Sequence, residues 1–166
     1  MERKIHLEKV TWDTVDAVIR LKVNKDQKDF VAPNGDSIMD AYFGSTEEGV
    51  TVFPLGIYYG KKPVGFLMIA RNVPWAEKCY DLPTSYYYIW RFMIDKRYQR
   101  QGYGKEALRL AIEFIKSSPA GESEACWLSY EPENTVARKL YLSFGFVEDL
   151  GRYKEGQEIP AILKFK

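Results

Sequence analysis

Two stretches of this 166-residue chain hold residues of the type and spacing that chemistry needs. The first is Tyr98-Gln99-Arg100-Gln101-Gly102-Tyr103-Gly104-Lys105, where two glycines lie among basic residues. An apolar run, SYYYIWRFMID, precedes it and a helical pattern, EALRLAIEFIKSS, follows. Glycines at a strand-to-helix turn let the backbone come close to a ligand. The free N–H groups that open a helix attract anions, phosphate above all. Arg97, Arg100 and Lys105 would add positive charge. The second stretch contains Asn134 and Tyr141, seven residues apart. On a helix of about 3.6 residues per turn they fall within about 20° of one face. Ala137 lies on that side and keeps it low, so an amide, a small residue and a phenol would line one groove.

Three kinds of phosphate site compete for the glycine turn. Residues 102–107, GYGKEA, fit the dinucleotide pattern G-x-G-x-x-A. That pattern belongs to an early strand–helix–strand unit with further parallel units behind it. Here it lies past mid-chain, and one more strand–helix unit follows. Its acidic partner would be Glu122 or Glu124, which precede or open the next strand when they should end it. A Walker loop requires Ser or Thr after its lysine, and Lys105 is followed by Glu106. The third kind is a turn whose backbone amides wrap a pyrophosphate at a helix N-terminus. A bare turn with solvated basic side chains is the plainer alternative. For the second stretch, the plainer alternative is a capping asparagine and a half-buried core tyrosine.

Gln99 to Gly104 match Q/R-x-x-G-x-G/A, and Asn134 to Phe146 match N-x-x-A-x-x-L-Y-x-x-x-G-F. In this order and spacing the two motifs resemble the GNAT superfamily of N-acetyltransferases. The resemblance implies an α/β (α+β) fold over residues 1–166 as a single domain. Its centre would be a mixed, mostly antiparallel sheet of six to seven strands flanked by about four helices. It implies acetyl-CoA as co-substrate, with no metal. The backbone of Phe92, Met93 and Ile94 would pair with the pantetheine arm. Gln99, Arg100, Gln101, Gly102, Tyr103, Gly104 and Lys105 would hold the pyrophosphate, and Asn134 and Arg138 would contact the cofactor. Tyr141 would be the general acid. A thiol ionises near pH 8.5 and a phenol near about 10, so protonating the departing thiolate is only modestly uphill, and a positive environment would narrow the gap.

An alkylammonium acceptor ionises near about 10.4 and must lose a proton before it attacks; a base would help. In the polyamine-acetylating branch a glutamate often stands in the strand before the pyrophosphate loop. This chain has Trp90 and Arg91 there, so Glu131, at the end of WLSYE, is the candidate base. Acidic residues in the variable loops (Asp26, Asp29, Asp36, Asp40, Glu47, Glu48) and the aromatics Tyr42, Phe43, Trp75 and Tyr86 would suit a polycation. The phrasing around both motifs resembles bacterial spermine/spermidine acetyltransferases. Other acceptors would be a peptide or aminoglycoside-type amine, and a different class would be a non-catalytic acyl-CoA-binding module. A homodimer is a common assembly in the superfamily.

The elements that must position these groups can be read from periodicity. Residues 3–10 alternate as a strand containing His6, and TWDTVDAVIRLKV follows as a helix capped by Thr11 or Asp13. NKDQKDFVAPNGDS reads as loop, SIMDAYFGS as a short helix, and VFPLGIYYGKKPVGFLMIAR as a hairpin turning at residues 59–63. NVPWAEKCYDLPTS reads as a prolyl loop. Beyond the glycine turn, Tyr103, Ala107, Leu108, Ala111, Phe114 and Ile115 form the inner face of a helix. EACWLSYE is a strand, NTVARKLYLSFG a helix capped by Asn134 and closed by Gly145, and the chain ends as a hairpin.

Composition narrows the class. Hydrophobic residues are 46% and charged residues 28%, the profile of a soluble globular protein. A net charge of +1 offers no general pull toward nucleic acid or membrane. Without an apolar N-terminal segment, a cytoplasmic location is expected. Cys79 and Cys126 lack metal-type spacing and read as reduced and structural. With one histidine, His6, neither a histidine-centred triad nor a multi-histidine metal site is expected.

Overall fold

The structure is a computed structural model and describes residues 4–166. Seven strands form one sheet: β1 (Ile5–Lys9), β2 (Thr51–Tyr59), β3 (Lys62–Arg71), β4 (Tyr87–Ile94), β5 (Ala125–Tyr130), β6 (Val147–Glu148) and β7 (Ile159–Lys164). Five α-helices pack with it: α1 (Val15–Ile19), α2 (Asn34–Glu47), α3 (Pro74–Tyr80), α4 (Tyr103–Lys116) and α5 (Thr135–Ser143). The strand order is β1-β2-β3-β4-β5-β7-β6. Every neighbouring pair is antiparallel except β4 and β5. The mixed, mostly antiparallel sheet is as expected, with five helices rather than about four. No helix among the described residues is long and apolar enough to cross a membrane.

β3 shows how the sheet builds two cores. Successive side chains on a strand point to opposite faces. Leu67 and Ile69 join Ala107, Leu108, Ala111 and Ile115 of α4 in one cluster. Phe66 and Met68 meet Val18 of α1 and Ala41 of α2 in another, while Ala70 packs with Ala76 of α3. A central strand covered on both faces is apolar throughout, which is why VGFLMIA carries no alternation.

Several expected elements differ. Arg3, placed in the first strand, lies outside the described residues. α1 is one short turn, and neither Thr11 nor Asp13 caps it. The cap is Thr14, whose hydroxyl accepts the Thr11 amide at 2.9 Å and closes a turn ahead of the helix. The Pro-Asn-Gly-Asp segment starts α2 instead of forming a turn. Asn34 is buried there and donates its side-chain amide to the Val18 carbonyl at 2.9 Å. α3 occupies the expected prolyl loop. Pro74 suits its first turn, and Asp81 ends it in the left-handed conformation with φ of 51°. A 3₁₀ turn at Lys25–Gln27 interrupts the loop before α2.

One irregularity opens the sheet. Met68 pairs with Arg91 and Ile69 with Ile89, so Trp90 is an extra residue in β4. Such a bulge bends its strand and increases the local twist. Pairing between β4 and β5 is confined to Tyr87↔Cys126 and Tyr88↔Trp127 and ends just before the bulge. From Ile89 onward the two strands splay, leaving a wedge at the middle of the sheet. A face-to-face stack of Tyr88 on Trp127, with centroids 3.9 Å apart, closes its narrow end.

Candidate active site

The wedge is a cleft of about 480 Å³. Its walls are β4 from Ile89 to Ile94, β5 from Leu128 to Tyr130, the loop from Val23 to Ala32, and α5. Phe92, Met93 and Ile94 all line it, on a strand edge that β5 has left. An extended chain bearing amides could add to that edge as a strand would.

The glycine turn lies at one end. Arg100 and Gly102 both have positive φ, 61° and 81°. Gly102 is the N-cap of α4, with no side chain capping the helix. Among the described residues the backbone amides from Arg100 to Lys105 donate to no acceptor. Alternating handedness of this sort turns successive N–H groups toward one point and makes an anion cradle. Gly104 forms part of the cleft floor, within 4 Å of Ile94, Phe92 and Leu140 as measured from where a Cβ would stand.

Not every residue of the turn faces the cleft. Gln99 lines it and ties its walls together. Its amide nitrogen donates to the Ile94 carbonyl at 3.0 Å and to Gln27 at 2.8 Å, and its oxygen accepts from Asn24 at 3.2 Å. Arg100 lines the cleft as an exposed cation. Gln101, Tyr103 and Lys105 do not line it: Gln101 reaches back to the Arg97 carbonyl and Tyr103 stacks on Tyr59. Arg97, expected to serve an anion, is spent on Asp95. Asp95 is 2% exposed and accepts from the Arg97 side chain at 2.8 Å, its amide at 3.0 Å and the Lys22 amide at 2.9 Å. Burial pushes that carboxyl up, but the hydrogen bonds from Arg97 and Lys22 outweigh it and hold the group below the usual carboxylate range. Asp95 thus pins the root of the turn.

α5 delivers Asn134, Ala137 and Tyr141 to the cleft, as the seven-residue spacing predicts. Asn134 holds the N-cap position, yet its side chain makes no capping bond and stays available. Gly145, at φ of 93°, closes the helix. Arg138, on the adjacent face, does not line the cleft. It pairs in two places with Glu148, at 2.7 and 2.9 Å. Tyr141 is 8% exposed, its ring among Phe92, Tyr130 and Phe146. Its hydroxyl bonds to nothing among the described residues. No positive charge acts to lower this phenol. Burial first, then the negative charge of Glu158 and coupling to the buried Tyr88 phenol, push it up.

The candidate base is displaced. Glu131 stands just beyond β5, outside the cleft lining. Burial, then Glu158, Glu133 and Asp29, push its carboxyl up. The carboxylates that line the cleft are Asp26, Asp29 and Glu158. Glu158 had no local signal in the sequence. It precedes β7, whose Ile159 pairs with Tyr130, and this register carries it to Ser129. The other acidic and aromatic loop residues do not line the cleft. Asp40, Glu47, Glu48, Phe43 and Trp75 line a separate hollow of about 300 Å³ that also touches Trp90. Among the described residues no group of three or more His, Cys, Asp and Glu side chains is placed to hold a metal ion.

Comparison with known proteins agrees with this architecture. Residues 22–146 match the acetyltransferase (GNAT) family model. A spermine/spermidine N(1)-acetyltransferase of Bacillus subtilis is 30% identical over 142 residues, 86% of this chain and 87% of the relative. Among solved structures, a PaiA N-acetyltransferase from Thermoplasma acidophilum in complex with coenzyme A superposes with a TM-score of 0.66 at 13% identity, covering 98% of this chain and 99% of that one. An acetyltransferase from Bacillus subtilis in complex with CoA superposes with a TM-score of 0.64 at 15% identity, covering 99% and 100%. The chain therefore belongs to the GNAT acetyltransferase family and is an acetyl-CoA-dependent N-acetyltransferase.

Proposed function

We propose that the protein transfers the acetyl group of acetyl-CoA to a primary amine of a small polyamine of the spermine/spermidine kind. Attack is direct, in a ternary complex. The observation that carries this reading is what a single cleft brings together: amides at the α4 end and a phenol that have no hydrogen-bond partner among the described residues, an open β4 edge, and the carboxylates Asp26, Asp29 and Glu158. The similarity to the Bacillus subtilis polyamine enzyme supports the acceptor class.

The residues fit the cofactor. The amides from Arg100 to Lys105 would hold the pyrophosphate, the β4 edge at Phe92 to Ile94 would pair with the pantetheine arm, and Asn134 would contact it. Bound acetyl-CoA supplies an activated acetyl thioester. Tyr141 delivers its proton to the departing sulfur. Burial favours the protonated phenol, the form an acid must hold, and also makes it a weaker donor. Direct transfer is favoured over a cysteine-linked intermediate. Burial pushes the Cys126 thiol up to about 12, and Cys79 lies on α3, away from the cleft.

We read the chain as a single cytoplasmic domain, acting alone or as a homodimer, on a small molecule rather than a nucleic acid or membrane. A thiol-release assay across amines tests the reading. Turnover of spermine or spermidine well above that of a peptide amine or an aminoglycoside is expected. The reverse order would overturn the acceptor class, and binding of CoA without turnover of any amine would overturn the enzymatic reading.

A further inference from the structure

We propose that Glu158 seats the acceptor ammonium beside Tyr141 and takes its first proton. The inference rests on the acetyltransferase reading above and assigns the acceptor side of that site.

Glu158 lines the cleft together with Ser129 and Tyr141. It is held at two points. Its backbone carbonyl accepts the Tyr80 hydroxyl at 3.3 Å, and its Oε2 accepts the Ser129 hydroxyl at 2.5 Å. Ser129 Oγ lies 3.4 Å from the hydroxyl of Tyr88, whose ring is fixed on Trp127. One carboxylate oxygen is thereby anchored. The other, Oε1, has no hydrogen-bond partner among the described residues. Nor does Glu158 have a cationic one. Asp40, Asp95, Glu106, Glu148 and Asp149 each pair with an arginine, whereas Glu158 pairs with none among the described residues. An oriented carboxylate without a cation, half-buried in a cleft, is a binding site for an ammonium group.

The titratable groups that feel its charge are Tyr80 on α3, Tyr88 on β4, Glu131 beyond β5 and Tyr141 on α5. This couples the two halves of the reaction. While Glu158 is bare, its charge holds the Tyr141 proton more tightly. An ammonium seated on Glu158 cancels that charge, so arrival of the acceptor eases proton delivery from Tyr141.

The protons balance. The ammonium gives one proton to Glu158, and the free nitrogen lone pair forms the C–N bond. The C–S bond breaks, and sulfur takes the Tyr141 proton. The new amide nitrogen sheds its second surplus proton, which restores Tyr141 through solvent, and Glu158 releases its own. Asp26 and Asp29, on the facing loop, are placed for a further ammonium of the same chain. The site then favours di- and polyamines over monoamines.

The test compares Glu158→Gln with the wild type on spermidine. At pH 7 the expected result is a KM for spermidine raised tenfold or more, with CoA affinity by thermal shift within twofold of wild type. The loss in kcat/KM should shrink steadily as pH rises toward about 10.4, where about half of the amine is already deprotonated. Calorimetric titration of spermidine into the CoA complex should show weakened binding. An unchanged KM and pH profile would overturn the proposal, as would a larger loss from Glu131→Gln. If Glu158→Gln does not fold, Ser129→Ala carries the test, with a smaller rise in KM in the same pH-dependent pattern. Absence of polyamine turnover by the wild type, alongside turnover of another amine, would overturn the acceptor class instead, and Glu158→Gln would then be judged on that amine.

Discussion

Asn134 and Tyr141 present their side chains to the same cleft from two ends of α5, and neither side chain makes a hydrogen bond within the described protein. Polar groups at a half-closed site are left unpaired when their partner is a ligand. Tyr141→Phe should therefore lower kcat by about 100-fold or more, the range of general-acid catalysis. The melting temperature and the CoA dissociation constant should hardly move, because the hydroxyl supports nothing in the fold. Steady-state kinetics with calorimetric CoA titration would check this, and unchanged kcat would remove Tyr141 from the chemistry.

Gly102 and Gly104 should respond differently to alanine. Gly102 has φ of 81° and open space around it, so its alanine variant meets no clash. It pays only for a left-handed backbone, about 1–2 kcal/mol. The amide cradle should distort with it and CoA binding should weaken. Gly104 is inside α4, where alanine is favoured by up to about 1 kcal/mol. Its added methyl would meet Ile94 at an ordinary 3.6 Å. Thermal melts and CoA titration of the two variants should separate backbone strain from cleft filling.

Asp95 links folding to pH. Its carboxyl is held below the usual range, so its stabilising effect is complete above about pH 4 and fades as pH falls through the lowered native value. Asp95→Asn should cost about 1–3 kcal/mol at neutral pH, because the Lys22 and Arg97 donors lose a charged acceptor. Urea unfolding at pH 7 and pH 3 should show the variant losing less on acidification than the wild type. CoA affinity should fall too, since Asp95 fixes the start of the glycine turn.

Trp127 is fully buried at the point where β4 and β5 part. Trp127→Ala should destabilise by about 3–5 kcal/mol through the cavity it leaves. Trp127→Phe should cost less, because the indole N–H has no partner among the described residues and its loss strands nothing. Denaturant midpoints of the two variants would check the order. Equal costs would mean that the indole edge, not the ring stack on Tyr88, supports the point where the strands part.

Much of this site was legible in the chain. The turn at Tyr98 to Lys105 and the face shared by Asn134 and Tyr141 are local patterns. Glycine spacing and helical period express themselves within a few residues, whatever the rest of the protein does. The main strands were readable for the same reason. Boundaries slipped where a tertiary contact overrode the local signal. Asn34 is a turn former by type, yet its buried bond to Val18 makes it the first residue of α2. Pro74 reads as a loop residue and instead starts α3 against Val50 and Ala70.

By itself the sequence determined that a glycine turn and a phenol would occur in this order, the one opening a helix and the other on the next helix. The tertiary structure decided what stands around them. The bulge at Trp90 depends on how two strands pair, and it opens the cleft. Asp95 takes Arg97 away from the glycine turn, and Glu148 takes Arg138. The register of β7 on β5 carries Glu158, 17 residues downstream of Tyr141 in the chain, to Ser129 in the cleft. Strand register and ion pairing join residues distant in sequence, and the charge at a site is the sum over all that meet there. No single stretch records that sum.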